Sequence, residues 1–326
     1  MTLDQLLIFV ALGAYVAGSI ALITYFLSRS SVMRTAGIVL AVTGCVAQFA
    51  ELGVRWATTG VWPLTNLYGS LSLFAAMGVL IFLAFAWKYQ VWFMGGFVLL
   101  IAAIALGYAT TWNEGYMPAV PSLQSYWIKV HVPLVISSYA AFMVAFVAAG
   151  LYLLKYFFER YLGRSQGVAT AMTTAGPVTM PVGGYDADMA VSDVRVVGLR
   201  DDTPMISAAA SRGDSWALWL QTLPSLSKLD IMAYRIVAIG LPLLTIGIIT
   251  GALWAKDAWG AYWQWDPKET AALVSWIVYA SYMHLHTRNN WRGYRCALVN
   301  VFGFATIVFC YLGVNIWISG LHSYKM

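Results

Sequence analysis

Long apolar runs separated by short polar breaks dominate the chain. Crossing the hydrocarbon core of a bilayer takes about 20 mostly apolar residues. Eight stretches meet that length, at roughly 5–28, 34–54, 67–87, 91–111, 130–156, 232–254, 270–287 and 296–319. Backbone polar groups in lipid must be satisfied within their own segment, so each stretch is expected to be a helix. Only Lys88-Tyr89-Gln90 separates the third from the fourth, which predicts a tight helical hairpin. The expected fold class is all-α, a polytopic transmembrane bundle. It divides into five spans over 1–157, a loop over 158–231 and the remaining spans over 232–326.

The loop at 158–231 lacks sustained periodicity. It is rich in small and polar residues, as in Thr173-Thr174-Ala175-Gly176-Pro177, and a partly disordered linker is expected there. Trp216, Leu218, Trp219, Leu220 and Leu223 could form a short helix on the membrane surface. Composition agrees with the pattern: the 326 residues are 60% hydrophobic and only 10% charged, against about 25% charged in soluble domains. The net charge of +5 therefore reads as a topology signal, not as a nucleic-acid footprint. With the N-terminus outside, 14 of the 19 Lys and Arg fall on inner connections and 5 on outer ones. Setting aside Arg195, Arg200 and Arg212 in the middle of the long loop leaves 11 against 5, which still favours N-out and C-out. Cys45, Cys296 and Cys310 all lie in apolar spans and form no Cys-x-x-Cys, so inert buried thiols are expected.

One outer connection departs from the bland pattern. Trp259-Gly260-Ala261-Tyr262-Trp263-Gln264-Trp265-Asp266-Pro267-Lys268-Glu269-Thr270 places four aromatics around a glycine and closes them with charged residues. Tryptophan favours the membrane interface, and that accounts for one or two rings per helix end. The density here also suits a large flat ligand with apolar faces and anionic edges. Haem has that shape, with propionates that could meet Lys268 or the indole N–H groups. The interfacial belt and the planar-ligand site both stay open on the residues alone.

The four histidines sharpen the choice. His131 starts the fifth span and His322 follows the eighth, on the same expected face as the tryptophans. Two imidazoles beside an aromatic platform could serve as axial ligands of haem iron. His284 and His286 sit at the other end of the seventh span. Helical rise puts them roughly 26 Å from Glu269, nearly the thickness of the hydrocarbon core. They are about 200° apart around the helix, so both cannot face one ligand. Pro63-Leu64-Thr65-Asn66-Leu67-Tyr68-Gly69-Ser70-Leu71 reads as a turn with an interfacial tyrosine.

The motif W-G-x-Y-W-x-W-D-P-K-E-T resembles the tryptophan-rich "WWD" signature of haem-handling proteins of cytochrome c maturation. The run Asp266-Pro267-Lys268-Glu269-Thr270 is similar to the CcsA/ResC branch, the membrane subunit of the System II cytochrome c synthase. The resemblance covers about 60–157 and 231–326. It implies an integral protein of a bacterial inner (plasma) or thylakoid-type membrane, with the tryptophan-rich segment outside. It further implies that haem b is both ligand and substrate, and that two thiols of an apocytochrome c Cys-x-x-Cys-His add to the haem vinyl groups. His131 and His322 match the family's external iron ligands and carry the catalytic expectation. Trp259, Tyr262, Trp263, Trp265, Asp266 and Lys268 would line the site. Leu285-His286-Thr287-Arg288 resembles the family's L-H-x-R, so His286 is the expected inner haem contact, with His284 as fallback. A second inner histidine is missing, which implies a CcsB/ResB-like partner, and thiol reduction implies external thiol-redox proteins. Gly69 stands where the family usually has Glu in N-x-Y-E-S-L, so no role for that carboxylate carries over. A haem exporter or chaperone of the CcmC type, without ligation, is the alternative. An ion or solute transporter would need charged residues inside the helices, and apart from Glu51 and the end-placed histidines there are almost none.

Overall fold

The computed structural model describes residues 2–112, 121–174, 223–288 and 290–318. The described chain is helical. Its elements are α1 (Leu3–Ser28), α2 (Ser31–Thr59), α3 (Leu67–Tyr89), α4 (Gly95–Thr110) and α5 (Tyr126–Thr174), then α6 (Leu226–Trp259), α7 (Pro267–His286), α8 (Tyr294–Val308) and α9 (Val314–Trp317). A π-helical turn, Phe309–Gly313, joins α8 to α9. Among the described residues, seven helical segments are long and apolar enough to cross a membrane. The eighth expected segment is α7, which has 20 residues and carries Lys268, Glu269, His284 and His286, so it is less apolar than the others.

Local chemistry sets the helix ends. Asn66 caps α3 by accepting from the Gly69 N–H at 2.9 Å. A Cβ at Gly69 would collide with the Pro63 carbonyl, so the loop before α3 leaves no room for a larger residue there. Gln90 turns the α3–α4 hairpin in the left-handed region, at φ 55°. α5 continues to Thr174, past the helix end expected near 157, running through Gly163 and Gly167, with no proline between 157 and Pro177. The proposed surface helix at 216–223 lies outside the described residues except for Leu223.

One compact unit takes the chain up to Tyr152 and from Ser227 onward, and Leu153–Leu226 form a second. Within the second, buried Lys155 donates from Nζ to the Pro224 carbonyl at 2.9 Å and lies 3.4 Å from Glu159. Within the first, α5 and α6 approach closely along a stripe of glycines. A Cβ at Gly240 would sit 2.8 Å from Phe142, one at Gly247 2.7 Å from Val135, and one at Gly251 2.7 Å from His131. Ser138 adds a hydrogen bond to the Gly240 carbonyl at 2.9 Å. Small residues let membrane helices pack backbone to backbone where the hydrophobic effect supplies no drive between them.

A buried polar network ties α1, α2 and α3. Tyr15 Oη donates to Gln48 Oε1 at 2.6 Å, and Gln48 Nε2 to the Ser72 carbonyl at 2.8 Å. Tyr68 Oη and Ser72 Oγ donate to the two Glu51 oxygens at 2.8 and 3.1 Å. The Arg55 guanidinium lies 4.1 Å from the Tyr68 ring centre. Two expectations change here. α2 runs five residues past 54, so Arg55 belongs to the helix instead of the outer loop and is buried. Tyr68 is buried against Glu51 and is not an interfacial residue.

Candidate functional site

The site begins with His131, at the start of α5. Its Nδ1 lies 2.7 Å from the carbonyl of Gly247 in α6. A carbonyl can only accept, so Nδ1 carries the hydrogen of the neutral ring. The Nε2 lone pair is then left for a metal, the arrangement in which a ligating histidine is oriented by a hydrogen bond on its other nitrogen. The imidazole fits because Gly251 has no side chain: a Cβ there would lie 2.7 Å from Cε1 and 2.8 Å from Nδ1. The ring lies nearly parallel to that of Trp254, with centroids 6.0 Å apart and planes at 17°. Trp254 meets Trp259 edge to face at 4.8 Å. Leu123, Ile128 and Trp254 form a small core against which Trp127, Val132 and Trp259 pack. His131 is thereby linked to the first residue of the tryptophan-rich stretch.

The stretch itself is held open by its ends. Lys256 Nζ donates to the Gly260 carbonyl at 2.8 Å and lies 5.7 Å from the Tyr262 ring centre. Gly260 turns the chain at φ 83°. At the far end Asp266 and Glu269 form a reciprocal cap on α7, with Pro267 at the first helical position. Asp266 Oδ2 accepts from the Lys268 N–H at 3.1 Å, and Glu269 Oε2 from the N–H groups of Gln264 at 2.9 Å and Asp266 at 3.3 Å. Asp266 is buried, so its visible work is to order the loop and start the helix. Trp265, between the two caps, holds φ 57°. For a bulky residue that conformation costs about 1–3 kcal/mol and persists only where its surroundings enforce it. Trp265 is 68% exposed, and its ring meets Trp263 edge to face at 5.7 Å. Tyr262 is also exposed. The predicted platform therefore divides: Trp259 packs toward His131, while Tyr262 and Trp265 present open rings.

Lys268 reaches across to the last helix. Its Nζ donates to Asn315 Oδ1 in α9 at 2.9 Å. The π-turn behind Asn315 is anchored twice: Tyr311 Oη donates to Ser70 Oγ of α3 at 2.8 Å, and Cys310 Sγ lies 3.4 Å from Tyr139 Oη of α5. π-turns within α-helices recur at functional sites. His322 lies outside the described residues.

The other end of α7 carries the remaining two histidines, and they differ sharply. His286 is 5% exposed. Its Nε2 sits 2.9 Å from Asp230 Oδ2, its ring stacks on Tyr234 at 4.3 Å, and its carbonyl accepts from Arg292 Nε at 2.8 Å. One of its ring nitrogens is thus engaged. His284 is exposed and lines an open cleft of about 460 Å³ with Leu285, Arg288, Asn290 and Trp291.

Sequence reasoning missed Trp254, Gly247, Gly251, Asp230 and Asn315. A small-residue stripe Gly240, Gly247, Gly251 was visible in α6, and so were Asn300 and Asn315 in the last apolar span, but neither pattern says which neighbour it meets.

Comparison with known proteins identifies the family. The family described as Cytochrome C assembly protein matches residues 64–322. The cytochrome c biogenesis protein CcsA of Gloeothece citriformis is 36% identical over 303 residues, covering 90% of this chain and 87% of that protein. CcsA of Microcystis aeruginosa is 36% identical over 296 residues, covering 86% and 84%. CcsA of Synechocystis sp. is 37% identical over 289 residues, covering 84% and 83%. Among solved structures, the cytochrome c haem lyase CcmF shares the fold, with a TM-score of 0.57 at 16% identity. The match covers 96% of this chain but only 47% of that one, so the chain spans about half of that larger protein. The chain is an integral membrane protein of the cytochrome c assembly family and belongs to its CcsA branch.

Proposed function

We propose that the chain is the haem-handling subunit of a membrane cytochrome c synthase, oriented N-out and C-out with all eight helical segments crossing the membrane. The observation that carries this reading is the fixed tautomer of His131, whose Nδ1 is committed to the Gly247 carbonyl. Its Nε2 is one axial ligand of haem iron at the external face, and His322 is the other. Trp259 is packed toward the ligand through Trp254, and Tyr262, Trp263 and Trp265 cover the macrocycle. Asp266 and Glu269 hold that loop in place, and Lys268 meets the polar edge.

Haem b is the substrate, and the protein supplies position while the porphyrin supplies the reactive vinyls. An apocytochrome c presents reduced Cys-x-x-Cys-His. Each thiol adds across one vinyl: a carbon–sulfur bond forms, the vinyl π-bond breaks, and the thiol hydrogen ends on the neighbouring vinyl carbon. The incoming histidine replaces one protein ligand, which releases the product. External thiol-redox proteins keep the cysteines reduced, and a CcsB/ResB-like subunit completes the inner site.

At the inner end the geometry favours the fallback residue. His284 offers an exposed imidazole beside the Arg288 guanidinium and the Trp291 ring, whereas His286 is closed in by Asp230 and Tyr234. We assign first contact with haem to His284 and a supporting role to His286. The test is reconstitution of the chain with its partner, haem and a reduced apocytochrome, followed by acid extraction. Haem that stays with the cytochrome is covalently bound and supports ligation. Bound but fully extractable haem would replace this reading with the exporter or chaperone alternative.

A further inference from the structure

Lys268 behaves unlike most lysines beside a membrane bundle. A long basic side chain at a helix end normally carries its charge out to water. Lys268 is only part exposed and turns inward across the helix interface to Asn315. Among the described residues no carboxylate lies within 4.0 Å of its ammonium. The Asp266 carboxylate acts on it only from beyond that distance, and the direct partner is a neutral amide, which solvates the charge without cancelling it.

The pair is held from both sides. Asn315 Nδ2 donates to the Tyr311 carbonyl at 2.6 Å, which fixes the amide so that Oδ1 faces Lys268. Tyr311 is fixed in turn by Ser70, and the Lys268 carbonyl takes a contact from Cys310 Sγ at 3.7 Å. An ammonium has three hydrogens and an amide nitrogen two. One of each is used here, so two ammonium hydrogens and one amide hydrogen remain. They form a preset cluster of donors with one positive charge, next to a loop of open aromatic rings.

We infer that Lys268 and Asn315 form a seat for a ligand carboxylate, and, resting on the haem-handling reading above, that this carboxylate is a haem propionate. The seat fixes which edge of the macrocycle points toward α9. With the propionates fixed, the two vinyls on the opposite side are left facing the incoming thiols. Asn315 is thereby a binding residue on a helix that lies outside the tryptophan-rich motif.

A structural strut and an anion seat give opposite results in one variant. Asn315→Asp places a resident carboxylate against Lys268 Nζ. A strut would be strengthened by the ion pair, and haem binding would hold or improve. A seat would be filled from within, and affinity would fall roughly ten- to a hundred-fold, the loss of one charge-assisted contact. The full chain in detergent micelles is titrated with haem b and with its propionate dimethyl ester, followed by Soret absorbance. Wild type is expected to prefer the free acid by at least about ten-fold. Asn315→Asp and Lys268→Met should both erase that preference, with unchanged melting temperature reporting an intact fold. Equal binding of acid and ester by wild type, or an Asn315→Asp variant that keeps the preference, would overturn the seat alone. Absence of any Soret change with either form would overturn the haem-handling reading and the seat with it.

Discussion

Replacing Gly251 by alanine isolates the geometry of His131 from its chemistry. The change removes no polar group and leaves the imidazole in the chain. It would stand 2.7 Å from Cε1 and 2.8 Å from Nδ1, where ordinary contact begins near 3.4 Å. The backbone of α6 is locked against α5 by the glycine stripe, so the ring has to give way by about 0.7 Å. That displacement pulls on the 2.7 Å hydrogen bond to Gly247, which sets both the tautomer and the direction of Nε2. Losing such an outer partner of a metal-bound histidine typically lowers metal affinity about 10–100-fold. The assay is haem titration of the purified variant with the axial absorbance bands recorded at saturation. The expected result is weaker binding with altered bands. Helix stability should not fall, since alanine in place of a mid-helix glycine gains roughly 0.5–1 kcal/mol. Gly107→Ala serves as the control, because its Cβ would meet only Leu12, at 4.0 Å. Wild-type affinity and spectrum in Gly251→Ala would refute the assignment of His131 as a ligand positioned by α6.

His131→Ala and His322→Ala should each abolish cytochrome maturation and change the axial spectrum, with partial recovery on adding imidazole; an unchanged spectrum removes that residue from the ligand set. His284→Ala should reduce the haem that co-purifies with the complex while the external spectrum stays normal, and His286→Ala should act mainly through thermal stability; the reverse pattern restores His286 as the direct contact. Arg55→Met leaves the buried Glu51 carboxylate without its cation and should destabilise the bundle by about 3–5 kcal/mol, much of it recovered in Glu51→Gln/Arg55→Met, as read from melting in detergent. A reporter fused within 173–184 should report the inner side and one after Tyr324 the outer side; the opposite result inverts the proposed topology.

How much of this was legible in the chain depended on the range of the interaction involved. The helices followed from apolar run length, because lipid forces every backbone group to bond within its own segment. The tryptophan-rich loop was legible because its residues are consecutive. Its internal division was not: Trp259 and Trp265 look alike in sequence, and only a left-handed backbone at Trp265 and the reciprocal cap of Asp266 and Glu269 separate the ring that packs from the ring that stays open. Arg55 was misplaced for a related reason. A charge at the edge of an apolar run reads as the end of a span, and nothing local reveals that Glu51 and Tyr68 receive it.

The two inner histidines show where motif reasoning stops. His284 and His286 stand two positions apart on one helix, and a four-residue likeness favoured the second. What distinguishes them is Asp230, more than fifty positions earlier on α6, which takes the Nε2 of His286 at 2.9 Å. Asp230 occupies one ring nitrogen of buried His286, whereas the exposed imidazole of His284 lines a cleft with Arg288 and Trp291. At the other end the Gly247 carbonyl takes Nδ1 of His131, and the proposed ligand atom is the remaining Nε2. At each of these two histidines the neighbouring helix occupies one ring nitrogen and so sets the orientation of the ring. In both cases that neighbour is α6, the helix that runs from Asp230 to the edge of the tryptophan loop, so one rigid element sets the chemistry of both ends of the proposed haem path.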